Sequence, residues 1–371
     1  MRLVDGLRGI AALWVVLFHL YMGGHLGKAA VVIPGLAAFC RVGTLGVYIF
    51  FVLSGFVIAH SVGKHQVTGA FVGRFALRRS LRLDPPYWAS MLLVGSLAFL
   101  HAKLRLEPVP WPSLGRVGAH LLYAQDILGI QPISVVYWTL CLEIQFYLLF
   151  CLLLWVAHRT GKHPLAVFAP ALAVAGLWPL LGLPWPWPGS FIPYWYGFLS
   201  GMLANWGMRG LVRWWAPVGF AAILFLAALR TWFFRGNAVA GLEVATAASV
   251  AVLLFWAGRS GAVTHWLSWR FLQVLGAVSY SLYLIHVQAL DVFYAVVKRV
   301  FGEAALHDWR YGLVAVAATV AAAWIFWRLI ERPSLALAQR FSQASARRTM
   351  PALPGAQPGG GRGDASGRAL G

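Results

Sequence analysis

Two ionisable residues near the start of the chain share one apolar segment. Arg8 and His19 are separated by ten residues, none of them charged. Eleven helical steps of about 100° return to within roughly 20° of the starting direction and rise about 16 Å, so both side chains lie on one face of a helix. A neutral imidazole in an apolar wall can act as a general base near neutral pH. The spacing therefore predicts a base held at a fixed distance from a cation.

Three more charged side chains lie in or beside apolar segments. Arg79 and Arg82 have i, i+3 spacing, so they are neighbours on a helix, and guanidinium groups suit phosphate oxygens. Glu143 lies inside an apolar run that is predicted to enter the membrane from outside near residue 135. This places its carboxylate about 12 Å below the outer surface, at the depth predicted for His19. Because a charged group in lipid is costly, each of these residues is a functional candidate.

A later apolar segment completes the candidate set. The run Ser-Tyr-Ser-Leu-Tyr-Leu-Ile-His contains Ser279 and ends at His286. Counting from a cytosolic start near residue 271 brings His286 to the same depth as His19. We assign His286, Ser279 and Trp138 to binding of a substrate.

Each candidate also has a purely structural explanation. Arginines at the cytosolic ends of spans can snorkel or set the topology, and histidines and serines can serve in helix packing. Glu143 can bond to a tyrosine or tryptophan of another helix. The pair Ser54-Gly55 can mark a close helix contact, or a break that offers backbone donors to an oxyanion. The three cysteines form no CxxC motif, so neither a metal site nor a disulfide framework is expected.

The elements that must position these residues are transmembrane helices. Of the 371 residues, 60% are hydrophobic and 11% are charged, and the mean hydropathy is +0.72. Soluble globular chains have roughly 45–50% apolar and about 25% charged residues, and one membrane crossing needs about 20 apolar residues. We predict an all-α integral membrane protein with about ten transmembrane helices, near 5–22, 44–62, 85–101, 135–157, 165–182, 190–206, 213–229, 240–257, 271–294 and 312–330.

Basic residues predict the orientation of these helices. Of the 30 Lys and Arg residues, 20 fall on the side of the N-terminus and ten on the other side, which predicts that both termini are cytosolic. The net charge of +19 thus serves topology, and no nucleic-acid partner is expected. Arg8 interrupts the first apolar run without a small-residue cleavage site after it, so no cleaved signal peptide is predicted.

The regions between and after the spans differ in character. The connection 102–134 is the longest on the outside, and it is predicted to hold a re-entrant or interfacial helix. From 342 onward Ala, Gly, Pro, Ser and Arg dominate, which predicts a disordered basic cytosolic tail at 342–371. Residues 1–341 are then one transmembrane domain, with no fixed repeat and no appended soluble domain.

Six stretches in this domain, spanning residues 3–333, resemble the acyltransferase-3 family of integral membrane O-acyltransferases and follow the family's order. They are Leu-Val-Asp-Gly-Leu-Arg-Gly-Ile-Ala-Ala-Leu-Trp-Val-Val-Leu-Phe-His, Phe-Phe-Val-Leu-Ser-Gly-Phe-Val-Ile, Arg-Arg-Ser-Leu-Arg-Leu-Asp-Pro-Pro-Tyr-Trp, Trp-Thr-Leu-Cys-Leu-Glu-Ile-Gln-Phe-Tyr, Ser-Tyr-Ser-Leu-Tyr-Leu-Ile-His and Glu-Arg-Pro. Two features depart from the family pattern. The esterase-like domain of some members is missing, and Val-Gln-Ala replaces the proline that often follows Ile-His.

The resemblance implies that 1–341 is a transmembrane acyltransferase domain with ten core helices. It implies transfer from a cytosolic acyl-CoA, commonly acetyl-CoA, to hydroxyls of surface polysaccharides, lipid-linked sugars or glycosylated metabolites such as antibiotics. Arg8 and His19 match the family's essential Arg and His, Arg79 and Arg82 match its Arg-x-x-Arg pair, and Glu143 matches its conserved acidic position.

From these features we expect a multi-pass O-acyltransferase in the inner membrane of a bacterium. Arg79 and Arg82, helped by Arg8, would bind acyl-CoA phosphates. His19 would deprotonate the acceptor hydroxyl, and Glu143 would orient His19 or the acceptor. A covalent acyl-histidine intermediate is equally compatible, and a homo-oligomer is allowed.

Two other functions remain open at the level of sequence. One is a multi-pass transporter or flippase without acyl chemistry, for which discontinuous helices and midplane charges would be typical. The other is a membrane acyltransferase that uses acyl groups from lipids.

Overall fold

Helices and short helical turns form all the regular structure in the described part of the chain. The computed structural model describes residues 1–27, 29–62, 68–109, 111–184, 186–187 and 189–349. The α-helices in these residues are α1 (Arg2–Met22), α2 (Ala29–Val32), α3 (Leu36–Arg41), α4 (Leu45–Val62), α5 (Gly69–Arg105), α6 (Leu114–Leu121), α7 (Trp138–Thr160), α8 (Pro164–Leu181), α9 (Trp195–Met208), α10 (Trp215–Arg235), α11 (Ala238–Arg259), α12 (Arg270–Phe301), α13 (Trp309–Phe326) and α14 (Arg332–Thr349). The predicted all-α class is confirmed.

Nine helical segments in the described residues are long and apolar enough to cross a membrane. They correspond to nine of the predicted spans. The remaining prediction, 190–206, coincides with the 14-residue helix α9 and a 3₁₀ turn before it, Ile192–Tyr194. Helix α9 would rise about 21 Å, which is shorter than the roughly 30 Å hydrocarbon core. Its residues are buried from Trp195 through Gly207, so it packs against protein along nearly its whole length.

The outer surface of the helix bundle is apolar. Large hydrophobic side chains such as Leu92, Leu148, Phe233 and Phe234 are exposed. A water-soluble monomer rarely exposes extended apolar patches, whereas a lipid-facing surface requires them. The chain is therefore a multi-pass membrane protein, and the cytosolic placement of its termini stays a prediction.

The two regions outside the predicted spans have distinct structures. Helix α6 lies in the connection 102–134, and Arg116 in that helix donates hydrogen bonds to the carbonyls of Gln131 and Pro132 at 2.9 and 2.6 Å. These bonds close the connection on itself. Helix α14 extends to Thr349, into the first residues of the predicted tail, while 350–371 lie outside the described residues.

Helices α1 and α12 pack against each other along the length of α1, and the two helices run in the same direction. At one end of the pair, Gly276 packs against the backbone of Asp5, where an added methyl group would overlap the Asp5 carbonyl. At the other end, His19 contacts His286. This pairing brings the two ends of the candidate site onto two adjacent helices.

The pair Ser54-Gly55 marks a close helix contact. Gly55 packs against the backbone of Phe198 in α9, and Gly201 in α9 packs against the backbone of Val52. Helix α4 is continuous through this point. Because its amides are used within the helix, the alternative of a break that offers backbone donors to an oxyanion is wrong.

Candidate active site

A cavity within the bundle brings five of the predicted residues together. It is bounded by α1, α4, α5, α7 and α12, and its lining includes Arg8, Arg79, Arg82, Glu143 and Ser279. Apolar side chains from the same helices form most of the remaining wall. The cavity lining therefore carries three cations and one carboxylate, an excess of positive charge that favours an anionic ligand.

Arg79 and Glu143 form a partly buried ion pair in this lining. Nη2 of Arg79 lies 2.9 Å from Oε1 of Glu143, and both side chains are 18% exposed. The hydroxyl of Tyr147 contacts both groups, and Ser54 donates to Oε1 at 2.9 Å. The Arg79 guanidinium also stacks 4.3 Å from the Tyr147 ring centroid. These contacts satisfy the carboxylate with groups from three other positions, as a buried charge requires.

The Arg79 guanidinium retains one unused donor. Its Nε is buried and has no hydrogen-bond partner among the described residues. Buried donors without partners are rare in proteins and call for an explanation. An anionic group entering the cavity could satisfy this donor while Nη2 remains paired with Glu143.

Arg82 differs from Arg79 because the described residues provide it with no ion pair or hydrogen bond. Its guanidinium lines the cavity and lies within electrostatic reach of Arg8, Arg79, Glu143 and Glu331. Arg82 thus has all of its donors available to phosphate oxygens, whereas Nη2 of Arg79 is already used by Glu143 and Tyr147.

Ser279 positions Arg8. Nε of Arg8 donates to Oγ of Ser279 at 3.2 Å, and that hydroxyl donates to the carbonyl of Gly276 at 2.9 Å. A hydroxyl has a single hydrogen, so Ser279 cannot donate to a substrate or an oxyanion while it keeps this bond. Ser279 thus supports a charged residue, and its contact with a substrate stays a prediction.

His19 and His286 form a hydrogen-bonded pair. Nδ1 of His286 lies 3.1 Å from the carbonyl oxygen of Leu282 and 2.8 Å from that of Tyr283. A carbonyl only accepts, so this nitrogen carries the hydrogen and Nε2 of a neutral His286 is an acceptor. Nε2 lies 3.1 Å from Nδ1 of His19, which is also 2.9 Å from the carbonyl of Val15. Nδ1 of His19 therefore donates to both, and the lone pair of a neutral His19 is on Nε2.

This arrangement prepares His19 to accept a proton. Its Nε2 has no hydrogen-bond partner in the described residues. His286 is fully buried behind it and its Nε2 contacts His19, so a contact of His286 with substrate stays a prediction. A base whose tautomer is fixed by a neighbour is typical of acyl-transfer sites.

Glu143 and His19 are not brought together. The recorded partners of Glu143 are Ser54, Arg79 and Tyr147, and His19 is not part of the cavity lining. The equal depth of the two side chains stays a prediction. In the structure Glu143 shares a cavity with Arg8, and the group that orients His19 is His286.

One face of α12 connects the cavity with the histidine pair. Ser279, Tyr283 and His286 are at i, i+4 and i+7, which places them on one side of the helix. Tyr283 lines the cavity, and its hydroxyl lies 2.8 Å from Oγ1 of Thr139. Trp138 does not line the cavity; it packs 6.3 Å from the ring of Phe51, which does.

Sequence reasoning missed Glu331. A π-helical turn, Trp327–Glu331, precedes α14, and π-turns are frequent at functional sites. Glu331 is 2% exposed and accepts hydrogen bonds from the amide and the hydroxyl of Ser281 at 3.1 and 2.6 Å. Its carboxylate lies within electrostatic reach of Arg8 and Arg82. The signal was the Glu-Arg-Pro motif that resembles the family pattern, and its Pro333 lies in the first turn of α14.

Within the described residues, no group of three His, Cys, Asp or Glu side chains could hold a metal ion. The polar groups that the site presents are guanidinium groups, carboxylates, hydroxyls and imidazoles. These are the groups expected for binding an anionic donor and moving a proton.

Comparison with known proteins gives this site a context. A family model described as an acyltransferase domain matches residues 2–328. Nodulation protein 10 of Rhizobium leguminosarum bv. viciae is 25% identical over 371 residues, covering 90% of this chain and 93% of the relative. Exopolysaccharide production protein ExoZ of Rhizobium meliloti (strain 1021) is 27% identical over 260 residues, covering 68% of this chain and 78% of the relative. No solved structure matches.

The family match includes all the residues that line the cavity and both histidines of the pair. The matched range thus contains every polar residue that the five helices contribute to the membrane-embedded cavity. With the match extending over most of its length, the chain belongs to the acyltransferase-3 family and is a membrane acyltransferase.

Proposed function

We propose that this protein transfers an acetyl group from cytosolic acetyl-CoA to a hydroxyl of a carbohydrate acceptor in a bacterial inner membrane. The observation that carries the proposal is the parallel pairing of α1 and α12. It holds Arg8 against Ser279 at the cavity and His19 against His286 farther along the same two helices. An anion-binding end and a base are thereby fixed on one wall.

The donor would bind with its phosphates at the arginines. Arg82 has its donors available, and Arg79 keeps a buried Nε–H without a partner. Guanidinium groups are always charged and match phosphate oxygens with two parallel hydrogen bonds. The pantetheine arm would then extend from the cavity along Tyr283 toward His19.

The chemical step follows from the tautomer of His19. Nε2 removes the proton of the acceptor hydroxyl as its oxygen attacks the thioester carbonyl. A carbon–oxygen bond forms, the carbon–sulfur bond breaks, and the proton on His19 passes to the departing thiolate of CoA. A covalent acyl-histidine intermediate would use the same Nε2 lone pair as a nucleophile.

The acceptor class is supported by the relatives. ExoZ is named for exopolysaccharide production, and its similarity covers 68% of this chain. A polysaccharide or a lipid-linked sugar offers the hydroxyl that the proposed step requires.

A purified preparation incubated with radiolabelled acetyl-CoA tests the proposal. We expect slow release of labelled acetate without acceptor, and labelled product when a membrane polysaccharide fraction is added. A transporter or flippase would yield neither, and an enzyme using lipid-derived acyl groups would accept label only from phospholipid. Absence of both activities in well-folded protein would refute acetyl-CoA as the donor.

A further inference from the structure

A second pocket contains a partly buried carboxylate that the proposed mechanism does not use. It lies where α8 and α10 end and where α11 begins, and Tyr48 of α4 forms its inner wall. Glu243 of α11 lines it together with Tyr194, Tyr196 and Trp178. We call this site the aromatic pocket. An ionisable residue within a membrane span is costly, so Glu243 calls for a function.

The walls of the aromatic pocket are flat rings. The rings of Tyr48 and Tyr196 lie 6.3 Å apart and are inclined by 13°, and Tyr194 lies 6.1 Å from Tyr48. Tyr48 and Tyr196 are buried, so packing fixes their orientation before a ligand binds. Flat amphipathic rings of this kind combine an apolar face with a polar edge, which suits the C–H faces and the hydroxyls of a sugar ring.

The polar groups of the pocket suit hydroxyls. The Glu243 carboxylate lies within electrostatic reach of the Tyr48 hydroxyl, and its two oxygens can accept hydrogen bonds from a ligand. Trp178 contributes a buried indole N–H that has no partner in the described residues. A hydroxyl both donates and accepts, so a polyol can satisfy a carboxylate and an orphan N–H together. An acyl chain of a lipid can satisfy neither.

The aromatic pocket is separated from the arginine-lined cavity by one layer of rings. Phe51 lines that cavity, and its ring lies 5.9 Å from Tyr48 and 5.8 Å from Tyr194. Trp138 packs 5.4 Å from Tyr194 in the same layer. A ligand in the pocket is thus adjacent to the cavity in which the donor is proposed to bind.

We propose that the aromatic pocket binds a sugar ring of the carbohydrate acceptor, with Glu243 accepting from its hydroxyls and Trp178 donating to one. The inference rests on the proposed function, because it names the place where that acceptor docks. It also gives Trp138 a position in the wall between acceptor and donor.

Binding of methyl β-D-glucopyranoside to the full chain in detergent tests the assignment without any acyl chemistry. Saturation-transfer NMR titrations would compare wild type with Glu243→Gln and Trp178→Phe. Glu243→Gln keeps an acceptor for Tyr48 but loses the charge, and we expect about a tenfold weaker Kd, the loss of one charge-assisted hydrogen bond. Trp178→Phe removes a donor that has no partner in the sugar-free protein, so we expect weaker sugar binding with no fall in Tm.

Glu107→Gln is the matched control, because Glu107 is exposed in a connection away from the pocket. Equal Kd values for wild type and both pocket variants would overturn the proposal, as would no binding by wild type. Sugar binding that persists in a protein unable to hydrolyse acetyl-CoA would refute the donor chemistry and leave the pocket assignment standing.

Discussion

The two ends of the α1–α12 wall bury polar groups in opposite ways. At the cavity, Arg79 and Glu143 form an ion pair that is held by contacts from α4, α5 and α7. Farther along, His19 and His286 form a pair whose geometry fits neutral imidazoles, using only each other and backbone carbonyls of their own helices. Charges in a low-dielectric interior need several partners, whereas neutral imidazoles need only matched donors and acceptors. The first end suits electrostatic binding, and the second suits proton transfer.

Of the variants that test this comparison, His19→Ala should cause the largest loss of turnover. Because it removes the base and leaves the arginine end untouched, we expect turnover to fall by about 10²–10⁴-fold, with donor binding retained. The measurement is transfer of labelled acetyl groups beside the Kd for acetyl-CoA. His265→Ala, an exposed histidine, is the control, and near-normal turnover in His19→Ala would remove the base from the mechanism.

Breaking the ion pair should mainly affect stability. Glu143→Gln leaves Arg79 buried without its charge partner, which costs about 3–5 kcal/mol, and we expect a clear fall in the Tm of the purified protein. The double variant Arg79→Gln with Glu143→Gln should recover part of this loss, because no uncompensated charge remains. Additive losses in the double-mutant cycle would show that the two residues do not act as a pair.

Arg82→Ala should act on donor affinity. Loss of one charge-assisted contact costs about 1.5–3 kcal/mol, roughly 10- to 150-fold in Kd for acetyl-CoA, while the maximal rate falls less. Lys at this position should rescue binding only partly, because an ammonium is a point charge without a fork. Arg74→Ala removes an arginine earlier on the same helix. It is the control for the alternative in which these arginines only set the membrane topology. Equal Kd values by isothermal titration for Arg82→Ala and wild type would end the assignment of Arg82 to the donor.

The smallest effect is expected at His286. Replacement by Leu removes the acceptor for the Nδ1 hydrogen of His19 while Val15 still accepts it, so we expect the turnover number to fall by about tenfold or less. Gln offers a carbonyl oxygen to the same hydrogen and should restore part of the rate. The pH–rate profile should move in the Leu variant and return toward wild type in the Gln variant. Equal rates and equal pH–rate profiles for the Leu and Gln variants would show that His286 serves only in helix packing.

The sequence predicted features that depend on one helix better than features that depend on several. The spacing of Arg8 and His19, and that of Arg79 and Arg82, follows from helical geometry alone. The neighbours of Glu143 could not be predicted in this way, because they depend on how deeply α4, α5 and α7 start relative to one another. A shift of one helical turn moves a residue about 5.4 Å, enough to exchange His19 for Arg79 as its partner.

Two further groups lay beyond prediction for different physical reasons. Glu331 reaches α12 through a π-turn, which changes the direction of every later side chain by adding a residue to one turn. The aromatic pocket gathers residues from five α-helices and a 3₁₀ turn. The indole N–H of Trp178 can be recognised as unpaired only when the positions of the side chains around it are known.

The parallel pairing of α1 and α12 has a consequence for biosynthesis. The contacts Arg8–Ser279 and His19–His286 join positions 271 and 267 residues apart. At about 5–20 residues per second, the ribosome needs roughly 15–50 s to make the intervening chain. During this interval Arg8 and His19 lie in the membrane without their final neighbours. The proposed catalytic centre is therefore among the last parts to assemble, and a nascent chain truncated before α12 would insert most of its helices while still lacking Ser279 and His286.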